Sequence, residues 1–585
     1  MRLLLRIAPA LAGALLCLAC TEKPATPDTK ETTPAVPQGV KLHSSTETTL
    51  TFQWGAVEGA GSYDWILTLE GTSHKTGTVK TRNVQVEGLT AGTTYGFSVR
   101  AVSAAGASEF CSPIGATTAG SAPTPPDPSA KTVCVDAPVV IEFPSAPTLG
   151  TAGLIRVLKA DGTEVDRINL ADLSTVDILD DGTMIPKGAD ADKNLIAIGN
   201  DYPFNTFMDA LHSANYRIVH YTPLRVEGKS LVIKLHNEAL EFGKTYTVKV
   251  DASVTGMAAE DVSFTTKAKP GGSTIKVAAD GSGDFCTVQG ALSYVSSNVP
   301  KDDAVTIEVA EGTYRELLYL RGKNNLTLRG ASRQNTIIAY PNNESYETGS
   351  GASVASRPSL GSSIGKSGGR ALWLVETCGN LAIENLTVEN TYSIPSHKGQ
   401  AETIYFNADD KRLTIENCSL VSWQDTFLCK GEVYVHNSLI AGHVDFIWGY
   451  PKACLFEDCE IRSRAGGYIV QARVPGASDK GFVFLNCALT AEEGVKAGSA
   501  YLARSGGDSS VYDNVTFIGC TMSDVIAPAG WHTGKTPTPA TPTATSGWKE
   551  YGTKGVSTAS RNACGLILTA SEAEAYSSRQ AVLGW

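Results

Sequence analysis

The chain has 585 residues, 42% hydrophobic and 19% charged, a composition typical of folded protein and long enough for two to four domains. Its formal net charge of -11 argues against nucleic acid as a partner, because phosphate backbones attract basic proteins. A polyanionic substrate would require a local basic patch on such an acidic chain.

The N terminus has the features of an export signal. Arg2 and Arg6 precede an apolar run that ends at Cys20 and is too short to cross a bilayer. Residues 1–20 resemble a bacterial lipoprotein signal peptide, which implies that Cys20 carries lipid and that residues 21–38 form a polar tether. We expect a secreted, outer-membrane lipoprotein on the cell surface or the periplasmic face. Cleavage by an ordinary signal peptidase is the alternative.

Residues 39–118 alternate as short strands between glycine-rich turns, which predicts a β-sandwich. Trp54 near the start and Leu89–Tyr95 near the end resemble the core tryptophan and the tyrosine corner of fibronectin type III domains. The resemblance implies a spacer or adhesion module without catalysis.

Residues 119–131 are rich in proline and predict a stiff linker. Residues 132–268 again read as strands and predict an immunoglobulin-like β domain.

One short pattern recurs in residues 273–585. An alternating strand is followed by Asn, Asp or Gly and then by a small or apolar residue. The six copies begin at Leu381, Leu413, Val433, Cys454, Phe482 and Val515, with spacings of 32, 20, 21, 28 and 33 residues. Irregular periods with a constant strand signature predict a right-handed parallel β-helix, in which loops of variable length leave at fixed corners. The predicted fold class is therefore all-β, with two β-sandwich domains before the β-helix.

In an exported chain, 13 cysteines suggest disulfides. The repeat suggests another explanation for several of them. Cys418, Cys459, Cys487 and Cys520 occupy one equivalent position on their coils. We expect them to form a ladder of buried thiols. A metal site, the alternative, would need ligands clustered at close spacing, and the sequence contains no such cluster. We expect neither a metal nor another cofactor.

Two aspartates share a position in the same register. Asp425 and Asp445 each lie 12 residues after a coil start, at Leu413 and Val433. Neighbouring strands are about 4.8 Å apart, so the two carboxylates should be stacked at roughly 5 Å. One pKa should then rise while the other stays low, as suits an acid and a base or nucleophile. Two solvated aspartates at loop corners are the alternative, although their aromatic neighbours favour a lined cleft.

Several motifs in the β-helix region carry a family resemblance. Trp423–Thr426, Val444–Gly449 and Gly399–Ala401 resemble signature motifs of pectin methylesterases. Four further matches follow the family's order and extend the resemblance over nearly all of 273–585: Val277–Phe285, Gly312–Glu316, Gly481–Cys487 and Tyr501–Arg504.

The resemblance implies a role for each matching residue. Asp445 would be the nucleophile on a methyl-ester carbonyl, and Asp425 the general acid and then the base. Gln400 and Gln424 would donate to the oxyanion, and Arg504 would pair with Asp445. Taken alone, the glutamines could equally be solvated amides, and the arginine a surface ion pair.

Aromatic residues and two polar residues are candidates for substrate contacts. Sugar stacking is predicted for Phe446, Trp448, Tyr468 and Trp531, with Gln471 and Arg473 at the cleft floor. Core packing is the alternative for Phe446. The family usually has Gly-Arg-Pro-Trp where this chain has Ala503-Arg504-Ser505-Gly506, so Pro and Trp are missing. This departure leaves the reaction type intact but bears on substrate register and identity.

The resemblance thus predicts a monomeric pectinesterase that converts methyl-esterified homogalacturonan to pectate and methanol. Its partners would be pectin and, through the lipid anchor, a membrane. Paired carboxylates at roughly 5 Å would also suit a retaining glycosidase, which needs no oxyanion donors. The altered residues after Arg504 would also be consistent with a surface glycan-binding lipoprotein whose catalytic domain is inactive, or with an esterase for a non-pectic ester.

Overall fold

The computed structural model describes residues 33–45, 48–69, 71–118, 132–171, 176–178, 184–186, 204–208, 216–220, 223–236, 238–343, 370–392 and 399–585. The lipidation prediction at Cys20, the linker 119–131 and most of the tether lie outside these residues. No helix in the described part of the chain is long and apolar enough to cross a membrane.

The N-terminal domain consists of two antiparallel sheets around one core. Its strands are Lys41–Ser45, Leu50–Gln53, Ser62–Leu69, Thr72–Val79, Asn83–Val86, Thr94–Ser103, Gly106–Ala107 and Ile114–Thr117. The predicted core tryptophan, Trp54, is buried, and its ring lies edge-on to Tyr63 at 5.4 Å between centroids. Phe52 of one sheet stacks on Phe97 of the other at 3.9 Å. The two-sheet sandwich predicted from alternation is confirmed.

The second β domain is built mainly from antiparallel strands, and only Thr132–Val133 and Val262–Thr266 pair in parallel among its described strands. Its strands are Thr132–Val133, Val139–Glu142, Leu154–Lys159, Glu164–Asn169, Val176–Ile178, Met184–Pro186, Phe204–Met208, Tyr216–His220, Leu224–Glu227, Ser230–Ile233, Thr245–Val250 and Val262–Thr266. A three-stranded and a five-stranded sheet enclose a core that includes Ile141, Leu231 and Tyr246, with the short helix Ala252–Val254 beside it.

The rest of the described chain is a parallel β-helix of 23 hydrogen-bonded strands. They are Thr274–Val277, Val305–Val309, Gly312–Tyr314, Leu318–Arg321, Leu326–Gly330, Thr336–Tyr340, Trp373–Glu376, Leu381–Glu384, Thr387–Asn390, Ile404–Asn407, Arg412–Glu416, Ser419–Val421, Phe427–His436, Leu439–Glu457, Glu460–Ala472, Gly481–Leu485, Ala488–Ala491, Ala500–Arg504, Val515–Ile518, Thr521–Met522, Trp531–His532, Trp548–Tyr551 and Gly565–Ile567. Each strand pairs with its counterpart one coil later, so three parallel ladders surround a single apolar core. The helix Val288–Asn298 covers the start of the β-helix, whereas Ala570–Ala573, Glu574–Tyr576 and Arg579–Leu583 pack against the outer face of its middle coils.

The predicted coil register is confirmed residue by residue. The six predicted starts pair directly along one ladder: Leu381 with Leu413, Leu413 with Val433, Val433 with Cys454, Cys454 with Phe482 and Phe482 with Val515. The cysteine ladder is also confirmed, since Cys418, Cys459, Cys487 and Cys520 are all buried with free thiols.

A left-handed residue ends each strand of this ladder. Positive φ angles occur at Asn385 (55°), Asn417 (51°), Asn437 (47°), Asp458 (51°), Asn486 (54°) and Gly519 (63°). This conformation costs other L-residues roughly 1–2 kcal/mol, whereas Asn, Asp and Gly adopt it more readily. The recurring Asn, Asp or Gly in the sequence is therefore the turn that closes each coil at the same corner.

We expect Asn417→Ala to lower the free energy of unfolding of the β-helix by about 1–2 kcal/mol. Alanine strains the left-handed backbone, and the hydrogen bond from Asn417 Nδ2 to Asn385 Oδ1, 2.9 Å long, is lost. Denaturant unfolding measures the change. Asn417→Gly is the control, because it loses the same hydrogen bond but relieves the strain, and it should cost less. Equal stability of the alanine variant and the wild type would contradict this account.

Candidate active site

The two predicted aspartates stand at one corner on consecutive coils. The strands that follow them pair Phe427 with Ile447, which puts Asp425 opposite Asp445, and Asp425 N donates to Val444 O at 3.0 Å. Both aspartates have left-handed backbones, with φ of 64° and 49°, and both are buried. The stacking predicted from equal offsets is confirmed, and the two carboxyl groups project from the same kind of turn.

Strong donors surround the carboxylate of Asp445. Arg504 Nε donates to Oδ1 at 2.7 Å, its Nη2 donates to Oδ2, and Gln471 Nε2 donates to Oδ2 at 3.0 Å. The hydrogen bond with Asp445 raises the pKa of the Arg504 guanidinium, so the arginine stays charged. A bidentate arginine contact favours the ionised form of a carboxyl group and fixes its orientation. Arg504 and Gln471 thus fix the orientation of the Asp445 carboxyl group.

The environment of Asp425 favours the opposite protonation state. Burial raises the pKa of Asp425 well above its usual range, and the negative charges of Glu402 and Asp445 raise it further. The guanidinium of Arg370 opposes this shift from 3.4 Å, between Nη2 and Oδ2. One protonated and one ionised carboxyl group at adjacent positions can serve as acid and nucleophile.

The two predicted glutamines are neighbours on consecutive coils. Gln400 and Gln424 form a parallel bridge, and Ala401 N donates to Gln424 O at 3.1 Å. Both side chains are half-buried; Gln424 lies on the coil of Asp425, and Gln400 lies one coil earlier. Arg370 Nη1 donates to Gln400 Oε1, which leaves the amide nitrogen of Gln400 as the end available to a substrate oxygen.

Arg370 and Glu402 are site residues that the sequence reasoning missed. Arg370 Nε donates to Glu402 Oε1 at 2.6 Å, and both side chains are buried. Arg370 therefore contacts Glu402, Gln400 and Asp425 at once. The sequence contained a signal for this pair: Glu402 is a charged residue beside an apolar strand, and a charge buried there requires a partner of opposite sign. Arg370 also lies 30 residues before Gln400, about one coil earlier.

A third arginine, Arg473, and the aromatic rings beside it complete the basic side of the site. Arg473 donates to Gln471 Oε1 from Nε at 3.0 Å and from Nη1 to the Tyr450 hydroxyl at 2.9 Å. The Trp448 ring lies 4.9 Å from the guanidinium of Arg473 and 5.1 Å from that of Arg370. Arg370, Arg473 and Arg504 thus provide the local positive charge that an acidic chain needs for a polyanion.

The structure contradicts part of the predicted sugar-stacking set. Phe446 and Trp531 have 0% and 1% exposed surface and belong to the apolar core, where Trp531 stacks on Trp548 at 5.3 Å between centroids. Rings without exposed surface cannot stack on a sugar, so both assignments are wrong. Trp448 is 5% exposed and supports arginines. Tyr468 is half-buried, with the Arg504 guanidinium 4.7 Å from its ring centroid.

The segment after Arg504 is anchored by polar contacts. Ser505 is buried, and its hydroxyl donates to Asp513 Oδ2 at 2.9 Å. Lys535 Nζ donates to Gly506 O at 2.8 Å. The missing Pro and Trp are therefore replaced by an anchored Ser-Gly segment that provides no aromatic ring beside Arg504.

The sequence matches the pectinesterase family model over residues 274–584, more than half of the chain. The chain belongs to the pectinesterase family. Residues 35–117 match the fibronectin type III domain. This pectinesterase is a carboxylic ester hydrolase, and pectin de-esterification is its function.

Relatives in plants and fungi resemble the same region. Pectinesterase 31 of Arabidopsis thaliana is 32% identical over 271 residues, which cover 44% of this chain and 76% of the relative. Probable pectinesterase A of Aspergillus flavus is 31% identical over 287 residues, 46% of this chain and 78% of the relative. The crystal structure of the pectin methylesterase from Aspergillus niger is 26% identical, with a TM-score of 0.43 over 54% of this chain and 95% of that one.

Proposed function

We propose that this pectinesterase hydrolyses C6 methyl esters of homogalacturonan through a covalent intermediate on Asp445. The observation that carries the proposal is the asymmetry of the stacked aspartates. Arg504 and Gln471 donate hydrogen bonds to Asp445 and fix its orientation, whereas burial and the charge of Glu402 raise the pKa of Asp425 well above its usual range. A weak carboxylate nucleophile needs this combination of charge, fixed orientation and a nearby acid.

The proposed reaction has two halves. Asp445 attacks the C6 carbonyl carbon, amide N–H groups of Gln400 and Gln424 stabilise the oxyanion, and Asp425 gives its proton to the departing methoxy oxygen. Methanol leaves, and Asp445 is joined to the sugar as an anhydride. Asp425, now ionised, takes a proton from water, whose oxygen attacks the same carbonyl carbon. The carbonyl carbon expels Asp445 as the carboxylate, Asp425 is protonated again, and the released galacturonic acid group loses its remaining proton to solvent to give pectate.

Methanol release from methylated homogalacturonan tests the proposed function. The purified chain should release methanol without generating new reducing ends. New reducing ends would indicate a glycosidase, which also uses paired carboxylates. The missing Pro-Trp after Arg504 favours a second candidate function, an esterase for a non-pectic methyl ester. Methanol release from a non-pectic methyl ester, but not from methylated oligogalacturonates, would establish this second function. No methanol release from either substrate would support a glycan-binding role.

We expect Glu402→Gln to move the alkaline limb of kcat/KM to lower pH. The reaction needs Asp425 protonated, so activity falls as pH rises through the pKa of Asp425. Glu402 raises this pKa, and removing its charge lowers it. Methanol release as a function of pH measures the limb. Glu389→Gln is the control, because Glu389 is a half-buried carboxyl group near Arg464 whose pKa is also raised by burial. An unchanged limb in Glu402→Gln would contradict Asp425 as the acid.

We also propose that the chain is exported and lipid-anchored at Cys20, on the outer membrane, and acts as a monomer. The basic start, the short apolar run and the Ala19-Cys20 pair support the anchor. A diacylglyceryl group on Cys20 in the mass spectrum of the membrane-bound protein, and release of Cys20→Ser from the membrane fraction, are the expected results. A mature N terminus without lipid would contradict the anchor.

A further inference from the structure

Three ligand-bearing side chains meet where the second β domain contacts the start of the β-helix. The sulfur atoms of Cys134 and Cys286 and an oxygen of Asp136 all lie within 4.8 Å of one another. Both cysteines are buried. Asp136 and Cys286 are 150 residues apart in the sequence, so no local motif marks this cluster. It plays no part in ester hydrolysis.

The carboxylate in this cluster is already engaged. Asp136 accepts hydrogen bonds from Cys286 N at 2.9 Å, from Thr287 N at 2.8 Å and from Thr287 Oγ1 at 2.6 Å. Thr287 is the N-cap of the helix Val288–Asn298. Asp136 therefore positions the start of this helix from the other domain, and three donors already occupy most of its lone pairs. Only two sulfur atoms of the cluster remain, fewer ligands than a structural metal site normally uses.

A lysine beside the sulfur atoms also disfavours a metal cation. Lys267 Nζ donates to Gly281 O and Gly283 O, both at 2.6 Å, and Cys134 Sγ lies 3.4 Å from the same Gly283 O. The hydrogen bond from Cys286 and the charge of Lys267 lower the pKa of the Cys134 thiol. The same sulfur–sulfur contact raises the pKa of Cys286. Cys134 is thus the more acidic thiol of the two, and the sulfur of Cys286 is its neighbour.

We propose that Cys134 and Cys286 form a disulfide that ties the second β domain to the N-terminal cap of the β-helix. The Cys134 thiolate attacks the disulfide of an oxidant, either a small-molecule disulfide or a thiol–disulfide oxidoreductase, and one oxidant thiolate leaves. Cys286 then loses its proton and displaces the second oxidant sulfur as its thiolate. Two protein thiols are oxidised to one S–S bond, and the oxidant disulfide is reduced to two thiols.

A second pair of cysteines in the described chain lacks this activation. Cys429 and Cys454 are neighbours in the apolar core of the β-helix, and both are fully buried. Burial raises the pKa of Cys454 well above its usual range. A thiol in that setting reacts slowly with an oxidant, since the thiolate is the nucleophile. Cys429 and Cys454 therefore provide a matched control pair.

The test compares the full chain after incubation with oxidised glutathione and after reduction. Alkylation under denaturing conditions should show two fewer free thiols in the oxidised protein, with a cross-linked peptide that joins Cys134 and Cys286. The oxidised protein should unfold at a midpoint several degrees higher, because the bond closes a long loop. Cys134→Ala/Cys286→Ala should abolish both differences, whereas Cys429→Ala/Cys454→Ala should keep them.

Three results would overturn the proposal. The first is alkylation of both Cys134 and Cys286 after oxidation, and the second is a cross-link at another pair. The third is one zinc ion per purified chain by elemental analysis, lost in Cys134→Ala/Cys286→Ala. The comparison of oxidised with reduced wild type decides the question even if a variant fails to fold. Methanol release is a separate readout that does not depend on the disulfide.

Discussion

Asp445→Asn should reduce methanol release by roughly three orders of magnitude or more while leaving the β-helix folded. The amide has nearly the same shape as the carboxylate, and asparagine tolerates the left-handed backbone at φ 49°. Arg504 Nε can still donate to the amide oxygen that replaces Oδ1. The variant lacks the negative charge that attacks the ester carbon, so the chemical step should fail while substrate binding persists.

Single-turnover methanol release and far-UV circular dichroism separate these two effects. Asp458→Asn is the matched control, because Asp458 also has a left-handed backbone, at φ 51°, and lies on the next coil with an exposed side chain. It should retain wild-type activity. Near-wild-type turnover by Asp445→Asn, measured on protein shown not to have deamidated, would remove Asp445 as the nucleophile.

Arg370→Met should lower kcat for methanol release by about 10²–10³, the usual effect of losing one oxyanion donor. Methionine approximates the aliphatic stem but cannot hold Gln400 Oε1, so the Gln400 amide loses its fixed orientation. The change also leaves buried Glu402 and Asp425 without the guanidinium that forms ion pairs with them. Breaking one side of a buried ion pair costs about 3–5 kcal/mol, so the variant should also be less stable.

A double variant separates catalysis from stability. Arg370→Met/Glu402→Leu removes both buried charges and should recover much of the lost stability without recovering kcat. Arg321→Met is the matched control, since Arg321 forms another ion pair with a buried glutamate, Glu376, at 3.3 Å. It should lose stability but keep kcat. If the double variant also recovers kcat, Arg370 has no positioning role.

The coil register could be predicted because its causes are local. The left-handed turn at Asn385, Asn417 and Asn437 restricts the residue types that can end a strand, and this restriction is visible in the sequence. Asp425 and Asp445 follow coil starts by equal offsets, so their pairing depends only on consecutive strands. The family resemblance, and not the register, assigned Gln400 and Gln424 to the site, and the bridge between them is a finding of the structure.

The role of Arg370 and the burial of Phe446 and Trp531 could not be predicted from the sequence, because they depend on tertiary contacts that no local pattern specifies. Arg370 reaches Asp425 across 55 residues, and Glu402 beside an apolar strand indicates only that a cation is needed, not which residue provides it. Trp531 lies in a strand of two residues, too short for alternation to show whether the ring faces the core or the cleft. Phe446 follows the Asp445 turn directly, and the backbone geometry of that turn determines the direction of its side chain.

By itself, the sequence determined the all-β architecture, the parallel coils and the stacking of Asp425 on Asp445, because strand alternation and left-handed turns act over a few residues. Only the tertiary structure decided which charges surround that pair. Arg370, Glu402 and Gln471 reach the site from different coils: Arg370 and Glu402 act on Asp425, and Gln471 contacts Asp445. The division into acid and nucleophile follows from desolvation and charge, which are properties of the assembled coils.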